Sequence, residues 1–178
     1  FMKKIKQKKT NIEQKHMNLF FPDINISLEI TPKYFDFTNF WNAFHSILIN
    51  TPIEKEKIVR VKISYIKKPV QIRVYTYDVL VFWQIFINKE YDFPIKINPT
   101  IIIDGGAYTG LSTVFFANKF PDAKIIALEP EWSNYQLLEE NTSDYCGIEL
   151  CNTAIWNKNS YLKMAHPASS WIYTRYSC

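Results

Sequence analysis

The sequence predicts an α/β protein in which a parallel, doubly wound sheet fills the second part of the chain and a small α+β region precedes it. Three observations predict this. From Thr100 onward apolar strands alternate with helices, the order that builds a parallel sheet with crossover helices. A glycine-bearing turn joins the first of these strands to its helix, and the second strand ends on an acidic residue, Glu129. Before the Asn98-Pro99 step the periodicity is different, with an aromatic-rich helix and a hairpin.

Residues 1–18 hold six lysines against one glutamate, so the net charge of +4 is a property of this tail, which is expected to be solvated and disordered. The remaining chain has 15 basic and 16 acidic residues, and so lacks the basic footprint of a nucleic-acid-binding protein. Residues 19–98 form the α+β region. An extended start reaches residue 35. Thr38 is placed to cap a helix over Asn39 to Ile49, with Phe40, Trp41, Phe44 and Leu48 on one face and Pro52 as the stop. Ile58 to Tyr65 and Val70 to Val74 alternate as strands around the turn Lys67-Lys68-Pro69, predicting an antiparallel hairpin. Thr76 can cap a helix from Asp78 to Ile87.

Residues 99–178 carry the parallel sheet. Ile101-Ile102-Ile103 is a continuous apolar run, the type buried on both faces of a parallel sheet. A helix over Leu111 to Lys119 follows, then a strand over Lys124 to Leu128, a helix over Ser133 to Asn141 and a strand over Ile148 to Cys151. The last stretch, Tyr161 to Cys178, places the turn residues His166-Pro167-Ala168-Ser169 between two short β-prone runs. No apolar stretch approaches the roughly 20 residues of a membrane span, and no apolar run follows the basic start as in a secretory signal. Cys146, Cys151 and Cys178 are odd in number and lack C-x-x-C spacing, which predicts reduced thiols in a cytoplasmic setting and no metal site. His16, His45 and His166 have no sequence context that marks them as catalytic.

The chemistry is concentrated in Asp104-Gly105-Gly106-Ala107-Tyr108-Thr109-Gly110. Glycines at such a turn permit positive φ and leave the backbone open to a ligand, while the following helix start offers free N–H groups. A phosphate-binding P-loop needs Gly-Lys-Ser/Thr, but Gly110 is followed by Leu111-Ser112. A dinucleotide site needs G-x-G-x-x-G, and that register fails at Tyr108, which disfavours a nicotinamide-dependent oxidoreductase. The remaining pattern is D-x-G-x-x-x-G, from Asp104, Gly106 and Gly110. Glu129 ends the second strand, where an acidic residue can accept ribose hydroxyls; its bland alternative is a cap on the next helix.

Taken in order, Ile102-Ile103-Asp104-Gly105-Gly106-Ala107-Tyr108-Thr109-Gly110, Phe115-Phe116-Ala117, Pro121-Asp122-Ala123 and Ala127-Leu128-Glu129-Pro130 resemble the FkbM family of methyltransferases, with Tyr108 where Asn is usual. Arg73, Thr76, Asp78, Glu90-Tyr91, Asn141 and Ala154-Ile155-Trp156 extend the likeness over residues 58–178. The resemblance implies a Rossmann-like class I methyltransferase sheet, S-adenosylmethionine as cofactor, and a hydroxyl on a sugar, glycan or polyketide as acceptor, hence a small-molecule or glycan partner. It further implies that Gly106, Ala107 and Gly110 line the methionine end of the cofactor, with Asp104 near its ammonium group. Glu129 would hold the ribose and Asn152 lie near the adenine. Thr76 and Asp78 would close over the cofactor, unless they serve only as a helix cap.

The family's distinctive K-x-D-x-E-G-x-E string on the fourth strand does not occur before Cys178, so the sheet is expected to be incomplete. Its first strand would then keep an unpaired edge, unless the hairpin covers it. A non-catalytic cofactor-binding or interaction domain of the same fold is the competing reading.

Overall fold

A computed structural model describes residues 17–22, 26–30, 36–49, 58–158, 163–166 and 169–172. The lysines of the tail, Pro52 and Cys178 lie outside the described residues. Strand β1 (Met17–Phe21) already begins within the expected tail, and its alternation buries Met17, Leu19 and Phe21. It pairs antiparallel with β2 (Ile26–Ile30) on one side and β3 (Ile58–Ile63) on the other. β3 in turn pairs with β4 (Val70–Arg73), in the predicted hairpin, giving a four-stranded antiparallel sheet of order β2-β1-β3-β4. Val59, Val61, Ile63, Val70 and Ile72 point to the buried face, as period-two alternation requires.

Helix α1 (Phe37–Ile49) covers that face with Phe40 and Phe44. Its cap is Asp36 and not Thr38: Asp36 Oδ1 accepts from the Asn39 amide at 2.8 Å, while Thr38 is exposed. A carboxylate three residues before a free amide satisfies the donor that a hydroxyl two residues too late cannot reach. The side chain of Leu48 lies outside the described residues. The predicted helix from Asp78 to Ile87 is α-helical only over α2 (Asp78–Phe82) and continues as a π-helical turn, Trp83–Ile87. The wider turn, closed by Asn88 N to Trp83 O at 2.8 Å, lets three consecutive residues, Ile85, Phe86 and Ile87, all be buried.

The second part follows the predicted alternation: β5 (Ile101–Gly105), α3 (Leu111–Lys119), β6 (Lys124–Leu128), α4 (Trp132–Thr142) and β7 (Ile148–Cys151). The three strands form a parallel sheet of order β5-β6-β7, the arrangement of one half of a Rossmann-like fold. Strands β8 (Lys163–His166) and β9 (Ser169–Ile172) form a separate antiparallel pair.

Two right-handed crossovers stepping in one direction put both helices on one side of a sheet. By register, Ile102, Asp104, Ile125, Ala127, Ile148 and Leu150 share a face, and Leu138 of α4 packs on Ala127. The opposite face carries Ile101, Ile103, Ile126, Leu128, and an exposed ion pair between Lys124 and Glu149 at 2.7 Å. This corrects the expectation for Ile101-Ile102-Ile103: Ile101 is 59% and Ile103 64% exposed, because the helices among the described residues cover only the other face. Among the described residues β5 pairs with β6 alone, and the hairpin β3–β4 does not cover its free edge.

The apolar core nevertheless runs across the Asn98-Pro99 step. Leu111, Val114 and Phe115 of α3 belong to the same buried cluster as the strands and helices from Met17 to Ile87. Phe86 is at this join, its ring 5.3 Å from Phe82 and 6.5 Å from Phe115.

Candidate functional site

The loop between β5 and α3 carries three left-handed residues in five: Gly106 (φ 78°), Tyr108 (φ 53°) and Gly110 (φ 81°). It folds against the end of β6, where the Gly106 and Ala107 amides both donate to Leu128 O at 2.8 and 2.9 Å. Ala107 is buried there against Ala127 and Leu138. The two motif glycines then serve different purposes. A Cβ on Gly106 would meet nothing within 4 Å, so its bare backbone faces open space. A Cβ on Gly110 would lie 2.7 Å from Leu138 Cδ1 and 3.1 Å from Leu138 Cα, so Gly110 permits the close approach of α3 and α4.

Asp104 directs Oδ2 at the start of α3, accepting from Ser112 Oγ at 2.8 Å and Thr113 Oγ1 at 2.6 Å. Thr109, fully buried in the loop, has no hydrogen-bond partner for its Oγ1 among the described residues.

Glu129 emerges from the end of β6 and is buried. It does not cap α4; that role falls to Glu131, whose Oε2 accepts from the Asn134 amide at 2.7 Å and from Ser133 Oγ at 2.6 Å. Burial opposes ionisation of Glu131, but these bonds and the nearby Arg73 charge together hold its carboxyl below the ordinary glutamate value. Glu129 instead accepts from three donors. Oε2 takes the Tyr108 amide at 2.9 Å; Oε1 takes the Glu131 amide at 2.9 Å and, at a long 3.4 Å, Asn134 Nδ2. A carboxylate has about four acceptor positions, so a free one remains on Oε2. Asn152 adjoins the same corner, donating from Nδ2 to Glu129 O at 2.8 Å and Pro130 O at 3.3 Å.

The α+β region reaches this corner through β4. Arg73 forms a two-pronged ion pair with the fully buried Asp78, Nε to Oδ2 and Nη2 to Oδ1 both at 2.9 Å. The same Nη2 donates to Asn134 Oδ1 at 2.7 Å, and the guanidinium lies 5.5 Å from the centre of the Tyr108 ring. The Tyr108 phenol faces this pair; burial first, then hydrogen bonding to Asp78, raises its pKa. Thr76 Oγ1 accepts from the Asp78 amide at 3.1 Å and donates to Arg73 O at 2.9 Å. Thr76 and Asp78 are thus brought to the loop through Arg73 and Tyr108, with Asp78 sealed from solvent.

Two residues back along β4, at Gln71, Asn141 reproduces a strand partner. It accepts from Gln71 N at 2.7 Å and donates to Gln71 O at 3.0 Å and Thr109 O at 2.8 Å. The site therefore gathers Gly106, Ala107, Glu129 and Asn152 at one corner, with Asp104 and Gly110 turned toward α3 and α4. Asn134 gave no signal in sequence, since a polar residue on the first turn of a helix is ordinary.

No protein-family model matches the chain. Over part of its length the chain is similar to methyltransferases. It is 34% identical over 61 residues to Methyltransferase sdnD of Sordaria araneosa, covering 34% of this chain and 24% of that protein. It is 24% identical over 96 residues to Methyltransferase 1 of Beauveria bassiana, covering 51% of this chain and 39% of that protein. The chain therefore spans a quarter to two fifths of the length of these relatives.

Proposed function

We propose that this chain carries the cofactor-binding part of an S-adenosylmethionine-dependent methyltransferase of the FkbM type, whose acceptor is a hydroxyl on a sugar, glycan or polyketide-like molecule. The observation that carries the reading is the buried carboxylate of Glu129. It is held at the end of β6 beside the unobstructed backbone of Gly106, with an acceptor position still free. These residues fit the cofactor: Glu129 takes a ribose hydroxyl, Gly106 admits the methionine end, and Asn152 stands on the adenine side. Asp104 keeps a carboxylate oxygen beyond the two hydroxyls on Oδ2, which suits an ammonium group. S-adenosylmethionine supplies, when bound, a sulfonium methyl group that a nucleophile can accept. The partial similarity to fungal methyltransferases supports the same chemistry.

One observation favours a second reading, a non-catalytic cofactor-binding or interaction domain. Asp104 is turned toward the hydroxyls of α3, and the open position on Glu129 is the one given to the ribose, so neither carboxylate is left as a base for an acceptor hydroxyl. Calorimetric titration of the chain with S-adenosylmethionine, S-adenosylhomocysteine and NAD tests the cofactor. Binding of the first two without NAD is expected, and NAD preferred over both would overturn the reading. Methyl transfer to a hydroxyl acceptor by this chain would remove the second reading.

A further inference from the structure

We infer that Arg73, from outside the parallel sheet, is a positioning residue for Glu129 and thereby sets how strongly the site selects a ribose that carries both hydroxyls. The inference rests on the proposed cofactor reading and deepens it.

Four residues close a ring. Arg73 Nη2 donates to Asn134 Oδ1; Asn134 Nδ2 donates to Glu129 Oε1; Glu129 Oε2 accepts from the Tyr108 amide; and the Tyr108 ring returns to the Arg73 guanidinium. Asp78 anchors the ring by holding two guanidinium nitrogens. Each link has a chemical reason. A guanidinium can only donate, so it fixes the Asn134 amide with its oxygen toward Arg73 and its NH2 toward Glu129. Without Arg73 the amide is free to flip, which would set its oxygen against the carboxylate.

Tyr108 presents its amide to Glu129 because its backbone is left-handed (φ 53°), a conformation that a bulky residue keeps only when its surroundings hold it. Arg73 and Asp78 hold the ring. Arg73 therefore controls a donor to each carboxylate oxygen. The consequence is a carboxylate of fixed plane, with one open position on Oε2 and one weak occupant, the 3.4 Å bond from Asn134, on Oε1. A vicinal diol places one hydroxyl at the first and lets the other share Oε1 with the Asn134 amide, which still holds the carboxylate plane in the complex. A carboxylate free to rotate would accept a single hydroxyl about as well as a pair.

The experiment measures binding of S-adenosylhomocysteine and of its 2′-deoxy and 3′-deoxy analogues to the full 178-residue chain and to Arg73→Ala, Arg73→Lys and Asn134→Ala. The unaltered chain should prefer the diol by roughly 10- to 100-fold, the worth of a hydrogen bond to a charged group. In Arg73→Ala this preference should fall to about threefold or less, and Arg73→Lys should recover part of it, a point charge lacking the planar fork. Asn134→Ala, which leaves the Arg73–Asp78 pair intact, should lower it too and gives the answer if Arg73→Ala does not fold. A purely structural role would weaken all three ligands equally. An unchanged diol preference in the folded variants would overturn the inference while leaving the cofactor reading standing. Failure of the unaltered chain to bind S-adenosylhomocysteine would overturn both.

Discussion

Phe86 and Ile103 are both large apolar residues in regular elements, yet one is completely buried and the other is 64% exposed. Phe86 belongs to the α+β region, where four strands, α1 and the α2–π segment enclose a single aromatic-rich core. Ile103 belongs to the parallel sheet, which among the described residues is covered by α3 and α4 on one face and whose own cluster holds Ala107, Ala127 and Leu138. Burial stabilises by roughly 25 cal/mol per Å2 of apolar surface, so among the described residues the larger apolar contribution comes from the cluster built mainly by the first region. The loop that bears the candidate chemistry lies in the second. It borrows rigidity across a polar seam in which Asn141 and Asn134 of α4 clasp Gln71 and Arg73 of β4.

The severest test of that division is Phe86→Ala. Removing a fully buried ring from the join should cost about 3–5 kcal/mol of unfolding free energy. Because Phe86 touches Phe115 as well as Phe82, unfolding of the variant should remain a single transition when followed by aromatic fluorescence and by far-ultraviolet dichroism. Two separated transitions would mean that the regions do not share a core.

Next in size is a contrast between the two motif glycines. Gly110→Ala combines a left-handed backbone with a Cβ driven against Leu138, and should cost about 2–4 kcal/mol in denaturant unfolding. Gly106→Ala has the same backbone handicap but open space around it, so it should cost only about 1–2 kcal/mol, with its larger effect on ligand binding. Equal losses would remove the distinction between a packing glycine and a ligand glycine.

How much of this was legible in sequence follows from the same contrast. The bounds of α3, β6 and β7 coincide with the predicted ones because strand–helix alternation, Pro121 and the acidic end of β6 are local signals. The exposed face of β5 was not legible. Three isoleucines in a row read as buried on both sides, and only the order of the strands decides which sides are covered. The π-helical turn and the Asp36 cap are not legible for a related reason, since tertiary packing and a two-residue shift in register chose between options of similar local propensity. At the site, spacing marked Glu129 and Gly106, but it could not separate the roles of the two glycines. The Asn134 link depends on a neighbour 61 residues away, Arg73.

A smaller effect is expected at Glu131. Its carboxyl caps α4 and has a pKa below the ordinary 4.5. A depressed acid stabilises the fold above its unfolded pKa, and that contribution is lost as pH falls through the lower folded value. Glu131→Ala should therefore cost about 1 kcal/mol at neutral pH and progressively less below pH ~4, where the unaltered chain loses the same cap. A cost independent of pH would assign the effect to something other than the charged cap.

The smallest effect should come from the residues that define the contrast. Ile101→Thr and Ile103→Thr keep β-branching on a strand, so their backbone preference is retained while an exposed apolar surface is made polar. If the face they share with Ile126 and Leu128 is open to water, each change should alter unfolding free energy by no more than ~0.5 kcal/mol and reduce self-association at high concentration. The same exchange at Ile63 or Ile72, fully buried in the antiparallel sheet, introduces a hydroxyl into an apolar core and should cost several times more. A loss above ~2 kcal/mol at Ile103 would mean that this face is covered in solution, since only a buried isoleucine carries so large a penalty. The two sheets would then differ in what covers them and not in how much apolar surface they hide.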